Sequence, residues 1–474
     1  MLHWSVVVGG GGDMFIARHD LLFQNDDRLS YGVAVCDIDG DGQFEFVVTG
    51  FGYANLALKW NGRGLLDTAD AVFADQQRLA IGVAAADIDG DGIEEVYVVN
   101  NDSFAVNTQA NDRLFALHGG QRVDLFDQPE TQLIANRNTG KSVVAVDRHG
   151  LGRYAFFVAN YGAMMRVYEL DEQWQLCEKA REAGVNYAVG ARALCAAPLF
   201  GSDVDVIAIN ERGANLLFRS NSDGTFNEVA VNMGIADRHQ HGRGATLVDA
   251  NDDGVLDLVY ANWEGPHRLW IRTPDTPFFD YAPHTMATPS RVRTVIAADF
   301  DNDGNPEIFF NHFGSANRLF GRRNGDWVEL DIGDAREADG LGTGAAIADI
   351  DGDGRLELLI AHGETAPQPL SFYHVPANSN HWLRVRPLTR AGAPARGALV
   401  TIAYAGKTVA QVIDGGSGYL CQMEPVAHFG LGTHTSIDSL TIQWPSGATS
   451  IVRQPQVNQL LVIPHPAVDD DQIL

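Results

Sequence analysis

Basic residues are scarce in this chain: 34 Lys and Arg stand against 61 Asp and Glu among 474 residues, a formal net charge of −27. Nucleic-acid binding needs clustered cations, so this balance argues against nucleic acid as a partner. Cysteine is sparse too. Cys36, Cys177, Cys195 and Cys421 are scattered without metal-binding spacing, which indicates neither a disulfide framework nor a zinc site. No apolar stretch reaches the length of a membrane span, so membrane insertion is not expected. The opening, MLHWSVVVGGGGDMF, has no basic n-region and too short an apolar core for a secretory signal. As written the chain reads as cytoplasmic, or as a mature or reannotated form. A nucleophile triad, a phosphate loop and a cofactor fingerprint are all missing, which leaves hydrolase and dehydrogenase readings little support.

What the chain has in abundance is one acidic loop. It reads DIDGDGQFE from Asp37, DIDGDGIEE from Asp87, DANDDGVLD from Asp249, DFDNDGNPE from Asp299 and DIDGDGRLE from Asp349. Positions 1, 3, 5 and 9 carry oxygen side chains: Asp37, Asp39, Asp41 and Glu45; Asp87, Asp89, Asp91 and Glu95; Asp249, Asn251, Asp253 and Asp257; Asp299, Asp301, Asp303 and Glu307; Asp349, Asp351, Asp353 and Glu357. Position 7 (Gln43, Ile93, Val255, Asn305, Arg355) can add a backbone carbonyl. Converging hard oxygens suit Ca²⁺, and about five ions are expected. The Gly at position 6 allows the positive φ that folds the loop round an ion. An EF-hand would place a bidentate Glu at position 12 between helices, whereas here position 12 of the first copy is Val48 and the flanks are β-type. Asp-Gly clusters also make ordinary hairpin turns, but turn chemistry does not require four oxygens at matched offsets five times over.

The loops begin at 37, 87, 249, 299 and 349, and the long gap holds two degenerate copies. VVAVDRHGLGRYAFFVAN places Asp147 at position 1, and ALCAAPLFGSDVDVIAIN places Ala197 there and Asp205 at position 9. Both keep the flanking strands and lose the ligands. Units of about 50 residues built from short strands and Gly turns match four-stranded propeller blades. A solenoid is the alternative, but no capping repeat is visible. The expected fold is all-β: a seven-bladed β-propeller over residues 1–376, a small β domain over 377–465 and an acidic tail over 466–474. Phe15 to Phe23 and Leu370 to Val375 are the segments available to close the ring.

The loop-plus-strand unit resembles the FG-GAP (integrin-type, VCBS-like) repeat. NHWLRVRP from Asn380, RGALVTI from Arg396, GGSGYLCQMEPVAHFGLG from Gly415 and IDSLTIQWPSG from Ile437 resemble the domain that closes the cartilage acidic protein family, also found in UnbV-type proteins of enediyne biosynthetic clusters. The resemblance implies a Ca²⁺-binding propeller, often secreted in animals, mostly without defined chemistry. The ligand-poor third and fourth units depart from it, leaving five ions rather than seven.

Function is expected at the end of the ring away from the loops, since concave mouths ringed by several blades are common ligand sites. Thirteen residues after each loop start stand Gly50, Asn100, Asn160, Asn210, Asn262, His312 and His362; one further come Phe51, Asn101, Tyr161, Glu211, Trp263, Phe313 and Gly363. Six residues before each start stand Tyr31, Ile81, Lys141, Ala191 (with Arg192 beside it), Arg243, Arg293 and Thr343. The amides and imidazoles also suit plain strand-end capping. Capping does not explain Lys141, Arg192, Arg243 and Arg293 on four consecutive blades, which would attract an anionic ligand, nor Tyr161, Trp263 and Phe313, which offer stacking surfaces.

Two functions follow. The first is a non-enzymatic recognition module for a protein or carbohydrate partner, which the resemblance favours. The second is a lyase, hydratase or cyclase acting on a small metabolite. There Arg243 and Arg293 would hold an anionic group, and His312 or His362 would act as acid/base oriented by Glu211 or Glu364. His239 and His241 are read as a solvated loop rather than a metal pair. His428 and Glu424 are read as packing against the propeller.

Overall fold

The computed structural model describes residues 13–101, 110–273 and 276–466. The start of the chain, on which the signal-sequence reading rests, and residues 467–474 of the acidic tail lie outside the described residues.

Each repeat begins with an apolar strand that both faces bury, so it reads as a continuous run rather than an alternating one. These strands are Ser30–Cys36, Ala80–Ala86, Gly140–Val146, Ala191–Ala197, Gly242–Val248, Val292–Ala298 and Gly342–Ala348. Each pairs antiparallel, across its acidic or degenerate loop, with a second strand: Glu45–Gly50, Glu95–Asn100, Ala155–Asn160, Asp205–Asn210, Asp257–Asn262, Glu307–His312 and Glu357–His362. Two more strands complete each sheet, so that these repeats form seven four-stranded sheets among the described residues. The first strands neighbour one another in a closed cycle, with Gly342–Ala348 returning to Ser30–Cys36. That cycle makes the assembly a propeller rather than a solenoid. The last sheet takes its outermost strand from the start of the chain, Ile16 opposite His374 and Ala17 opposite Tyr373.

Every innermost strand carries a register shift near its start, for example between Ser30 and Val33, between Ala191 and Ala193, and between Val292 and Thr294. Bulges re-aim side chains, and here the bulged positions include Tyr31, Lys141, Arg192, Arg243 and Arg293. Small residues beside them let adjacent blades crowd the axis. A Cβ at Gly344, for instance, would run into the Tyr31 carbonyl oxygen.

The C-terminal domain is a sandwich. One sheet orders Ala427–Gly432, His381–Pro387 and Leu460–Ile463; the other orders Lys407–Val412, Leu399–Tyr404, Ser439–Gln443 and Thr449–Arg453. Leu383, Val385 and Phe429 meet Val400, Ile402 and Leu440 between them.

The segment between Lys407–Val412 and Ala427–Gly432 leaves this sandwich and enters the propeller axis. Innermost strands present unpaired N–H and C=O groups there, and buried backbone groups require partners. Residues 415–424 supply them. The Gln422 N–H donates to the Val33 carbonyl at 3.0 Å, and its carbonyl accepts from the Val35 N–H at 3.0 Å. The Gln422 side chain closes a second pair, accepting from the Ala85 N–H at 2.8 Å and donating to the Ala85 carbonyl at 3.0 Å. Gly415 O accepts from Ala145 N at 2.8 Å, and Gly418 exchanges two backbone bonds with Ala245 at 2.6 and 2.9 Å. One strap thus stitches the edges of several blades. Replacing Gln422 with Leu strands a buried backbone donor and acceptor on Ala85 and is expected to destabilise the protein by about 2–4 kcal/mol in urea unfolding. An unchanged midpoint would mean that the strap does not hold the axis together.

Candidate metal loops and the axial mouth

The five acidic loops share one internal geometry. The position-6 glycines, Gly42, Gly92, Gly254, Gly304 and Gly354, have φ between 80° and 94°. Each donates its N–H to the position-1 carboxylate, at 2.7 Å in Gly42 to Asp37 and 2.9 Å in Gly354 to Asp349. The position-7 N–H bonds the position-5 carboxylate, as in Ile93 to Asp91 at 2.8 Å and Asn305 to Asp303 at 2.8 Å. Position 9 accepts from the position-2 N–H: Ile38 to Glu45, Ile88 to Glu95, Ala250 to Asp257, Phe300 to Glu307 and Ile350 to Glu357, all at 2.8–3.1 Å. At position 1 of the first, second and fifth units both carboxylate oxygens accept backbone N–H groups.

Ligand atoms of Asp37, Asp39 and Asp41, of Asp87, Asp89 and Glu95, of Asp299, Asp301 and Asp303, and of Asp349, Asp351 and Asp353 converge within 4.8 Å of one another. Asp299 Oδ1, Glu307 Oε1 and Asp349 Oδ1 are buried without a hydrogen-bond partner. Orphaned buried carboxylate oxygens are costly, and a cation among them removes the cost. The residues present therefore fit a bound cation. Without one, burial first and the neighbouring carboxylates second raise Asp87 to about 7 and Glu95 to about 9. Burial likewise carries Asp299, Glu307 and Glu357 well above the usual range.

The degenerate loops satisfy their carboxylates with protein donors instead. Asp205 accepts from the N–H groups of Leu199, Phe200 and Ser220 at 3.0, 3.2 and 2.8 Å. Asp147 accepts from Leu151 and Gly152 at 3.0 and 2.7 Å.

The C-terminal domain sits on this loop end of the ring. Ala410 N donates to Asp249 Oδ2 at 3.1 Å, Arg384 Nη1 reaches Asp349 Oδ2 at 2.7 Å, and Arg396 Nε reaches Glu94 Oε1 at 2.6 Å with both side chains buried. His428 and Glu424 belong to the same junction: His428 Nε2 lies 2.6 Å from Asn302 Oδ1, and Glu424 pairs with Arg384. Both are interface residues.

At the other end, the cations and aromatics come together. Arg192 Nε donates to Glu211 Oε2 at 2.6 Å, Arg243 Nη2 to Glu211 Oε1 at 2.9 Å, and Arg293 pairs with Glu364. Arg293 lies 4.3 Å from the Trp263 ring centroid and 5.3 Å from those of Phe313 and Tyr419; Arg243 lies 5.1 Å from Trp263. Arg192 and Lys141 stand 4.9 and 6.0 Å from Tyr161. Tyr419, at the tip of the strap, donates no sequence signal of its own as a site residue, yet its hydroxyl accepts from Arg293 Nη1 at 3.3 Å. Among the described residues, Arg192, Arg243 and Arg293 thus share two carboxylates, with Lys141 beside them.

The other ring residues bond groups of the protein itself. His312 Nδ1 meets the Phe310 carbonyl at 3.0 Å and Nε2 meets Ser290 Oγ at 2.9 Å; His362 meets the Pro369 carbonyl at 2.8 Å and Glu337 Oε2 at 2.9 Å. Both imidazoles are buried with each nitrogen engaged, and Glu211, expected to orient a histidine, pairs with Arg192 and Arg243. Asn160, Asn210 and Asn262 cap as well: each Nδ2 donates four residues ahead, to the carbonyls of Met164, Ala214 and Pro266. These bonds are those of strand-end capping. His239 and His241 are exposed.

The ASPIC and UnbV family matches residues 389–470, and FG-GAP-like repeats match 12–98, 202–260 and 249–310. Cartilage acidic protein 1 of Xenopus tropicalis is 43% identical over 505 residues, covering 96% of this chain and 78% of its own length. The chain belongs to the cartilage acidic protein family. The Homo sapiens protein of the same name is 43% identical over 488 residues, 94% of this chain and 74% of its own. Solved structures with partial likeness include BBS1N in complex with ARL6DN, soaked with lead (10% identity, TM-score 0.48, 77% of this chain and 98% of that one). Another is SapL1 lectin in complex with alpha methyl fucoside (13%, TM-score 0.40, 64% and 96%). Likeness at that level carries no argument about this member of the family. No described helix is long and apolar enough to cross a membrane.

Because Asp205 is satisfied by backbone donors alone, Asp205→Ala is expected to cost about 2–3 kcal/mol of stability whether or not a chelator is present. Thermal unfolding with and without EDTA checks this. A chelator-dependent effect would assign the fourth loop an ion.

Proposed function

We propose that this protein is a calcium-stabilised recognition module that captures an anionic group of a protein or carbohydrate partner at the axial mouth. The observation that carries the reading is the cluster of Arg192, Arg243 and Arg293, each at most 9% exposed, which share Glu211 and Glu364 among the described residues, with Lys141 beside them. Three buried guanidinium groups sharing two carboxylates favour an incoming anion. Tyr161, Trp263, Phe313 and Tyr419 give the same ligand apolar walls. Calcium is the ion assigned to the acidic loops, because their donors are all oxygens. Asp87, Asp89, Asp91 and Glu95, with Ile93 through its carbonyl, would hold one ion; Asp299, Asp301, Asp303, Asn305 and Glu307 another. The sets from Asp249 to Asp257, with Asn251, Asp253 and Val255, and from Asp349 to Glu357, with Asp351, Asp353 and Arg355, would hold two more. Bound Ca²⁺ supplies charge neutralisation under the C-terminal domain. The enzymatic alternative would need His312 or His362, whose ring nitrogens bond protein groups, and so receives less support.

Three outcomes are expected. Chelation should lower the thermal midpoint by several degrees, with Ca²⁺ restoring it and K⁺ failing to, because the carboxylates repel once the ion is gone. On an array of neutral, sulfated and uronic-acid glycans, the calcium-loaded protein should retain acidic sugars. Arg293→Ala should weaken that retention by about 2–5 kcal/mol while leaving the midpoint unchanged. Equal loss of stability in Arg293→Ala and Asp299→Asn would refute this division of roles.

The same affinity should fall as pH rises from 6 to 8. Burial first, then Arg192, hold Lys141 down to about 7, with Arg293 also lowering it and Glu211 and Glu364 raising it. Its ammonium is therefore lost across that interval while the arginines stay charged. Titration of retention against pH, with a flat profile in Lys141→Met, checks it.

A further inference from the structure

We propose that the first acidic loop carries its own cation, the ammonium of Lys59, and is the one loop of the five that does not take up Ca²⁺ tightly. This rests on the reading that the other loops hold Ca²⁺. Lys59 lies in the third strand of the first blade, Leu56–Trp60, directly opposite Glu45 in the sheet register. Its Nζ stands 2.6 Å from Asp39 Oδ2, 2.8 Å from Asp41 Oδ2 and 2.8 Å from Glu45 Oε1. Those are positions 3, 5 and 9 of the loop, the side chains that would coordinate the ion. The ammonium occupies the point on which they converge.

The corresponding positions of the other blades show that this is specific. One residue along from the register pairs Val96 with Phe115, Leu258 with Trp270, Ile308 with Phe320 and Leu358 with Tyr373 stand Ala116, Ile271, Gly321 and His374. None is a lysine or arginine. Glu307 Oε1 in the sixth blade and Glu45 Oε1 in the first are both buried without a hydrogen-bond partner, but Glu45 Oε1 has the ammonium 2.8 Å away as an ion-pair partner. A second cation leans on the same loop: Arg386 donates to the Gly42 carbonyl at 3.2 Å and stacks 4.4 Å from the Phe44 ring centroid. The first loop is also the more open one, Asp39 and Asp41 side chains being 42% and 43% exposed.

The physical consequence is competition. A divalent ion at 2.3–2.6 Å from these oxygens cannot share the space with an ammonium at hydrogen-bonding distance, so Ca²⁺ must first expel Lys59. The expelled side chain leaves three charge contacts, and its charge then repels the ion from nearby. The loop keeps its shape without metal, because Gly42 and Asp41 still bond Asp37 through their N–H groups at 2.7 and 3.0 Å.

The test uses Ca²⁺ alone as the probe on the full, metal-stripped chain, with bound ions counted by titration calorimetry and native mass spectrometry. The wild type is expected to bind four ions tightly and Lys59→Met five, or to show a weakest site at least tenfold tighter in the variant. Lys59→Gln should behave alike and supplies the count if the methionine variant does not fold. In EDTA, Lys59→Met should fall further below its calcium-loaded midpoint than the wild type does. Equal stoichiometry and affinity in the wild type and both variants would overturn the proposal, since Lys59 would then swing aside at no cost. Absence of Ca²⁺ binding in every variant would overturn the calcium reading as well.

Discussion

Glu45, Glu95, Asp257, Glu307 and Glu357 open the second strands of five blades and are each at most 1% exposed. A carboxylate stripped of water costs several kcal/mol unless a donor or cation meets it. Each spends one oxygen on the position-2 N–H of its own loop, so the second oxygen sets the problem that the loop end must solve. The answers differ between blades. In the first it is Lys59, in the fourth the equivalent Asp205 is met wholly by backbone N–H groups, and in the sixth the oxygen of Glu307 is left for an ion.

That local problem explains where the second domain lies. Arg384, Arg396, Lys407 and the Ala410 N–H all come from the sandwich, and all meet carboxylates of the loop end. The sandwich is thus part of the neutralising shell, and docking it there delivers the strap into the axis. Seven innermost strands leave backbone edges facing that axis, and Gln422 answers one of them with its main chain and a second with its side chain. Charge at one end and backbone satisfaction along the axis are therefore met by the same excursion of chain. Its tip, Tyr419, then stands among the cations of the far mouth.

The repeat was legible because ligand loops and flanking strands recur at fixed offsets. The cations of the mouth were legible too, because a propeller places equal offsets at equal heights. Offset gives the height of a residue but not the direction of its side chain: the His312 ring turns to Ser290 and the Phe310 carbonyl, and the His362 ring to the Pro369 carbonyl. The strap could not be read from GGSGYLCQMEP at all, since glycines, a tyrosine and a glutamine carry no period, and their partners lie in other blades.

By itself, then, the sequence determined the blade architecture, the five loops and the cationic mouth, since these depend on residue type at short, repeating separations. Only the tertiary structure decided that the C-terminal domain caps the loop end and fills the axis, and that one lysine sits at the centre of the first loop. Those outcomes depend on contacts between residues far apart in the chain, where neither spacing nor composition says which unpaired group will meet which.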